Sequence, residues 1–347
     1  MQGSVDPARR PGGCAMMLAR AAADFYWMGR YLERAEQMGR LLDHQLTRLV
    51  DTPARELAHS WRVLYDVVGL ATPSVPHDAD EAEAFLIADA YTLAGTLVED
   101  ETQPISIVSC WGQARDNAKQ LRPWLPVQVW TSLNQGFLWI HETDLPAAWA
   151  AGPPSLVREA IRRLRLIGGV ARSTMARDDA WRFMELGRHV ERLQHQTALL
   201  ESWDRFGPLS GSSTSVWWAD LLRICSAHEL YCRVRSMVVR RGSVLAFLIR
   251  NPELPRSLRF AVRRIGELLA DIDPGGARHP LAPPHAMALH LAAAVEMNPH
   301  GDAGIWHGEE ESGRGHSFAD LLGDSLTLHN LTMAAYVDYP VETGLPS

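Results

Sequence analysis

The stretch that decides the fold is Met17–Val50, MLARAAADFYWMGRYLERAEQMGRLLDHQLTRLV. It holds no proline, and apolar residues recur at spacings of three and four through Met17, Ala21, Met28, Tyr31, Ala35, Met38, Leu42 and Leu49, the seam of one long packed helix. Inside it sits Gly29-Arg30-Tyr31-Leu32-Glu33-Arg34, and the chain repeats the phrase as Gly187-Arg188-His189-Val190-Glu191-Arg192. A glycine in a helix interior costs about 1 kcal/mol relative to alanine, so the same cost in the same context at two sites asks for a reason.

Working outward, proline and glycine punctuate a series of further helical patterns. Pro53 opens a helix through Trp61, Leu64 and Val68, and Asp78 or Asp80 is placed to cap the next, Glu81–Val98. Helical spacing continues over Pro104–Leu121, Val127–Ile140 and Leu156–Met175. Arg177-Asp178-Asp179 then supplies an N-cap for the helix of the second phrase, which runs to about Trp203. Val216–Arg241 reads as one long helix, followed by helices at Arg256–Asp271 and Phe318–Tyr336. Strand-like alternation is nearly absent. The expected fold is all-α, a single bundle of about 10–12 helices, and the repeated phrase is compatible with two related half-bundles meeting face to face. One helical domain is expected over residues 17–340, with 274–316 as an irregular insertion and 1–16 as a disordered leader.

Composition narrows the function classes. The net charge of −7, with arginine dispersed among carboxylates, leaves no nucleic-acid footprint. No segment reaches the roughly 18 to 20 uninterrupted apolar residues that cross a bilayer, and the first fifteen residues lack the apolar core of a secretory signal. Cys14, Cys110, Cys225 and Cys232 form no Cys-x-x-Cys pair, which points to a reducing cytoplasm. Half of the fourteen histidines, His279 to His329, fall in the last fifth of the chain at spacings that match no zinc pattern. There is no nucleophile elbow, P-loop, dinucleotide fingerprint or HExxH.

The phrases themselves carry the chemistry. On a helix, Gly29, Glu33, Glu36 and Arg40 share one stripe, with Arg30, Arg34, Gln37 and His44 about 100° around it. In the second copy Gly187, Glu191, Gln194 and Glu201 share the stripe, with Arg188, Arg192 and His195 beside it. Three explanations are open. Glu33 and Glu191 could pair with arginines of neighbouring helices and pin the bundle's register. The same groups could line a cavity for a small anionic or zwitterionic ligand. A metal site fits poorly, because Glu191-x-x-x-His195 in one copy faces Glu33-x-x-Glu36 in the other, and no metal is expected. Arg115, Asp116 and Asn117 form a further polar knot, either an interhelical hydrogen-bond node or a ligand wall.

Several of these stretches together resemble the bacterial alpha-E domain family. They are Met17-Leu18-Ala19-Arg20, Tyr26 to Glu36, Arg40-Leu41-Leu42-Asp43, Ala114 to Ala118, Met175 to Arg192, Asn251 to Leu258, and the surroundings of Leu328-His329 and Ala335-Tyr336. Two departures are the alanine at Ala180, where the family usually has glycine, and the stretch from about 274 to 316. The resemblance implies partnership with a circularly permuted ATP-grasp protein, with transglutaminase-like or proteasome-like hydrolases in the same system. It implies peptide or amide bond formation, in which this chain holds no cofactor while ATP and Mg sit on the partner. On that basis Glu33 and Glu191 are the acid/base candidates, and Arg30, Arg34, Glu36, Arg115, Asn117, Arg177, Asp178, Arg188 and Arg192 the substrate-binding candidates. A stand-alone enzyme using the two glutamates and a non-catalytic scaffold are the alternatives.

Overall fold

The computed structural model describes residues 19–49, 52–71, 79–235, 237–273, 283–298 and 316–337. The expected leader, the Asp78 cap and the insertion outside 283–298 and His316 lie outside the described residues. Among the described residues there are fourteen helices and no strands. They are α1 (Ala19–Arg48), α2 (Ala54–Val67), α3 (Ala79–Glu99), α4 (Ile107–Gln120), α5 (Val127–Glu142), α6 (Leu145–Ala151) and α7 (Pro153–Thr174), followed by α8 (Asp179–Phe206), α9 (Thr214–Ile224), α10 (His228–Val234), α11 (Arg241–Arg250), α12 (Leu258–Ile272), α13 (Pro283–Glu296) and α14 (Phe318–Tyr336).

The two helices that carry the repeated phrase are the longest, 30 residues for α1 and 28 for α8. At 1.5 Å per residue each spans about 40 Å or more. They pack along each other and form the axis of the molecule. On one side α1 is covered by α4 and α7, with α5 closing on both; on the other α8 is covered by α12 and α14, with α13 closing on both. This arrangement is the pair of half-bundles that the repeat suggests. Because α8 has neighbours all round, apolar and polar residues alike are buried on it, among them Phe183, Leu186, Val190, Leu193 and Trp203.

Local chemistry sets the ends of α8. The Asp178 side chain accepts a hydrogen bond from Trp181 N at 3.3 Å, and Gly207 closes the helix at φ 61°. The expected helix Val216–Arg241 is instead broken into α9, α10 and α11. At its first break Ser226 adopts φ 47°, while Ala227 N reaches back to Leu222 O at 2.8 Å. That closure is ordinarily made with glycine, and the sequence offers no glycine or proline there. This break and the short α6 account for the helix count exceeding the expected ten to twelve. Cys110, Cys225 and Cys232 are free thiols, and no described helix is long and apolar enough to cross a membrane.

Candidate functional site: a reciprocal glutamate–arginine clasp

The two phrase glycines are where α1 and α8 touch backbone to backbone. A Cβ on Gly29 would stand 2.0 Å from the Met184 carbonyl oxygen, and one on Gly187 would stand 1.9 Å from the Tyr26 carbonyl oxygen. Each partner lies three residues before the other glycine, so the contact is reciprocal. Tyr26 faces Gly187 while Glu33 faces Arg188 and Arg192, so the two helices run in the same direction through it. The cost of glycine in each helix is thus met by a close approach that no other residue permits.

That approach brings the charged ends of the phrases across the interface. The Arg34 fork donates from Nε to Glu191 Oε1 at 2.6 Å and from Nη2 to Oε2 at 3.0 Å, and Arg30 Nε donates to the same Oε2 at 2.7 Å. The second phrase answers atom for atom. Arg192 donates from Nε to Glu33 Oε1 at 2.8 Å and from Nη2 to Oε2 at 2.7 Å, and Arg188 Nε donates to Oε2 at 3.1 Å. Gln37 adds a further donor to Glu33 at 2.7 Å. Forked, charge-assisted bonds of this kind are the strongest that side chains make.

Glu33 is fully buried and Glu191 is 6% exposed. Burial alone would raise both carboxyls. For Glu33 the Arg192 charge and hydrogen bond, helped by Arg256 and Arg188, win and hold it well below the usual carboxylate range. Arg30 and Arg34 lower Glu191 in the same way. In turn Glu191 raises Arg34, and Glu185, Glu33 and Glu36 raise Arg188, in each case against burial.

A third element joins on the Glu33 side. The turn Asn251–Ser257 is knotted by Asn251 Oδ1, which accepts from Glu253 N and Leu254 N at 2.9 Å, and Ser257 caps α12 by accepting from Phe260 N at 3.0 Å. Arg192 Nη1 donates to Pro255 O at 3.1 Å. The turn therefore delivers Arg256, whose Nη2 donates to Glu36 Oε1 at 2.8 Å and whose Nη1 lies 3.4 Å from Glu33 Oε1. Sequence reasoning does not assign Arg256 to the site.

Residues 17–329 match the Alpha-E family, described as a predicted alpha-helical domain with a conserved ER motif. The chain belongs to the Alpha-E family. Its Glu33-Arg34 and Glu191-Arg192 are two Glu-Arg pairs, and the structure joins each glutamate to the arginine of the other pair. Similar curated proteins are uncharacterized: one from Mycobacterium bovis and ones from two strains of Mycobacterium tuberculosis, each 27% identical over 278 residues. The match takes in 77% of this chain but only 31% of each relative, so the Alpha-E chain spans about a third of their length. No solved structure matches it.

Of the expected site residues, the structure brings seven to the α1–α8 crossing in two clusters: Arg30 and Arg34 on Glu191, and Arg188 and Arg192 on Glu33, to which Arg256 joins Glu36. The bonds of Arg115, Arg177 and Asp178 go elsewhere. Arg115 Nε donates to Asn134 on α5 at 2.7 Å with its guanidinium 4.5 Å from the Phe137 ring centroid. Arg177 donates to the Arg172 and Met175 carbonyls and lies 3.8 Å from the Trp181 ring centroid, while Asp178 is the α8 cap. These groups hold helix ends and the α4–α5 contact, and Asn117 Nδ2 is buried without a hydrogen-bond partner among the described residues.

Neither clasp glutamate has the surroundings of a metal ligand, since arginines occupy its lone pairs. Among the described residues, the group that could hold an ion is His290, His316 and Asp324, whose ligand atoms lie within 4.8 Å of one another. Their separation in sequence conceals this cluster, which forms because α13 packs on α14.

Proposed function

We propose that this Alpha-E domain is the binding partner of an ATP-grasp ligase in peptide or amide bond formation, and that it contributes ligand-holding arginines instead of a proton-transferring glutamate. The observation that carries the second half is the clasp. A general acid must be protonated at working pH and a general base must keep a lone pair free, and both Glu33 and Glu191 are held ionised with their oxygens taken by at least three arginine bonds each. Their task is to fix two helices in one register, with the charge of the network available to whatever docks beside it. Family membership supports the partnership, as does the length of the relatives, which carry roughly two thirds of their chain outside the matched region.

In this scheme the ATP-grasp protein binds ATP and Mg and activates a carboxylate as an acyl phosphate, and the helical domain holds the amine, the acceptor peptide or the product. Transglutaminase-like or proteasome-like hydrolases would act on that product. The test is reconstitution of the chain with its ATP-grasp partner, following ADP release that depends on an amine acceptor. Ligation should need both proteins, and undiminished ligation by the partner alone overturns the proposal. Glu191→Gln separates the roles: it should keep ligation in proportion to the folded fraction, whereas an acid/base residue would lose turnover with the fold intact.

A further inference from the structure

We infer that the cleft between α1, α7 and the end of α9 is a binding site for a compact phosphate-bearing anion, with Arg40 as its buried anchor. The cleft encloses about 470 Å³ and lies one helical turn beyond Glu36. Arg40 lines it, is only 6% exposed, and makes no hydrogen bond or ion pair among the described residues; its Nη1 is buried without a partner. The nearest acid on its own stripe, Glu36, is already taken by Arg256 at 2.8 Å and Arg165 at 3.4 Å. Burial, and then the charge of Arg256, push the Arg40 guanidinium well below the usual arginine range, against Glu36 and Glu33. A buried, uncompensated cation of this kind is costly in an empty site and is satisfied by an anion.

The rim supplies the rest of the charge. Arg158, Arg162, Arg165 and Arg223 line the cleft with side chains 51–63% exposed. Their acids are Asp43, Glu159, Glu36 and Asp220, respectively. Arg158 and Arg162 pair with part-exposed acids and can turn to a ligand at small cost, while the buried acids of Arg165 and Arg223 keep second partners in Arg256 and Arg48. Asp43 is the one acid in the lining, and Arg158 Nε neutralises it at 2.7 Å. His44 is uncharged, pushed down to about 4 chiefly by burial, and its Nε2 is buried without a hydrogen-bond partner.

Guanidiniums arriving from three helices suit a multiply charged ligand that several forks can share, which favours phosphate over a single carboxylate. The lining has no Phe, Tyr or Trp and only two apolar side chains, Ile161 and Ile224. Guanidiniums dominate a cleft of this size, so the ligand is compact and phosphate-rich. The inference stands apart from the ligase proposal.

The test is calorimetric titration of the full chain, without any partner, using inorganic pyrophosphate as probe and glutamate at matched ionic strength as the carboxylate control. Pyrophosphate should bind saturably at one site, more weakly as salt rises. Arg40→Met should weaken it by at least about tenfold and, by removing an unpaired buried charge, raise the melting temperature of the ligand-free protein. Arg162→Ala, at the exposed rim, should weaken binding roughly threefold with the melting temperature unchanged. Absence of saturable binding overturns the site, as does full-strength binding by Arg40→Met. Glutamate binding as tightly as pyrophosphate overturns the phosphate assignment. Should Arg40→Met not fold, Arg158→Ala combined with Arg162→Ala carries the test, and undiminished binding by that pair overturns the site. Ligation undiminished when this chain is omitted, with pyrophosphate binding intact, would remove the ligase proposal alone.

Discussion

The two halves of the clasp use the same six-residue phrase and the same donor atoms, yet they sit in different surroundings. On the Glu191 side, Arg30 rests 5.2 Å from the Trp27 ring centroid, and its Nη2 donates to Gln194. Tyr31 stacks on Trp27, and α14 seals the wall with His329. On the Glu33 side the counterpart of Trp27 is Glu185, which takes Arg188 Nη1 at 3.3 Å, and the counterpart of Gln194 is Glu36, which takes Arg256. One turn on, Arg40 in the first copy corresponds to Ala198 in the second. The phrase therefore sets the clamp, and three flanking positions decide whether it is closed by rings or extended by charge. Only the charged side leads to the arginine cleft.

Breaking the shared part should have the largest effect. Gly187→Ala puts a methyl 1.9 Å from a backbone oxygen that cannot move without shifting α1, and Gly29→Ala does the same to α8. Alanine's helix propensity returns only about 1 kcal/mol, while overpacking against backbone at this distance should cost more than about 3 kcal/mol. Chemical denaturation should find both variants strongly destabilised by similar amounts. An unequal result, or a stabilised alanine variant, would show that the crossing is not reciprocal.

The next effect distinguishes the halves. Glu33→Gln strands Arg192, Arg188 and Arg256 around a site with no exposure and should cost about 3–5 kcal/mol. Glu191→Gln should cost less, about 2 kcal/mol, because the Arg34 side chain is 23% exposed and can turn its charge to water. Equal losses in urea unfolding would mean that burial does not separate the two sides.

Much of this was legible in the sequence. The helical stripes placed Gly29, Glu33, Glu36 and Arg40 in one row, and the repeat implied two matching surfaces. What the stripes could not show is that each glutamate pairs across the interface with the other phrase, which depends on the glycine contact and the parallel crossing. Arg256 was hidden because it sits in a turn, where periodicity carries no information. The break at Ser226 was hidden because a serine holds a backbone conformation usually signalled by glycine. Asp178 was legible as a cap, and that role explains its place in the motif better than ligand binding does.

Acid should weaken the clasp in two stages, histidines first and carboxylates after. His195, which among the acids feels Glu191 first and Glu33 less, and His329 beside Glu191 are both pushed down to about 4, mainly by burial, and burial holds His189 well below its usual value. A histidine whose folded pKa lies below its unfolded value of about 6.5 favours folding only while neutral, so stability should fall as pH drops from about 6.5 towards 4. The clasp carboxylates follow. Their folded values lie below the unfolded value of about 4.3, so their contribution is complete above it and is lost as pH falls through the folded values. The urea midpoint should be level above pH 7 and decline towards pH 4.5 by the equivalent of about 2 kcal/mol for each fully buried histidine. His195→Gln should remove its own share of that first decline; a midpoint already level in the parent protein would refute the assignment.

The smallest expected effect belongs to the ring-walled side alone. Tyr26, 1% exposed, has its hydroxyl 2.9 Å from His329 Nδ1, and the phenol is pushed up to about 12, first by burial, so it remains a donor. That bond ties α14 to α1, and it favours neutral His329 by occupying the lone pair that protonation would use. Its counterpart in the second copy, Met184, makes no such tie. Tyr26→Phe should therefore lower stability by only about 1 kcal/mol, the net worth of one hydrogen bond. It should also raise the His329 titration midpoint measured by NMR while leaving His195 unmoved. A shift in both histidines would mean that the two sides of the clasp communicate, and the division between them would have to be redrawn.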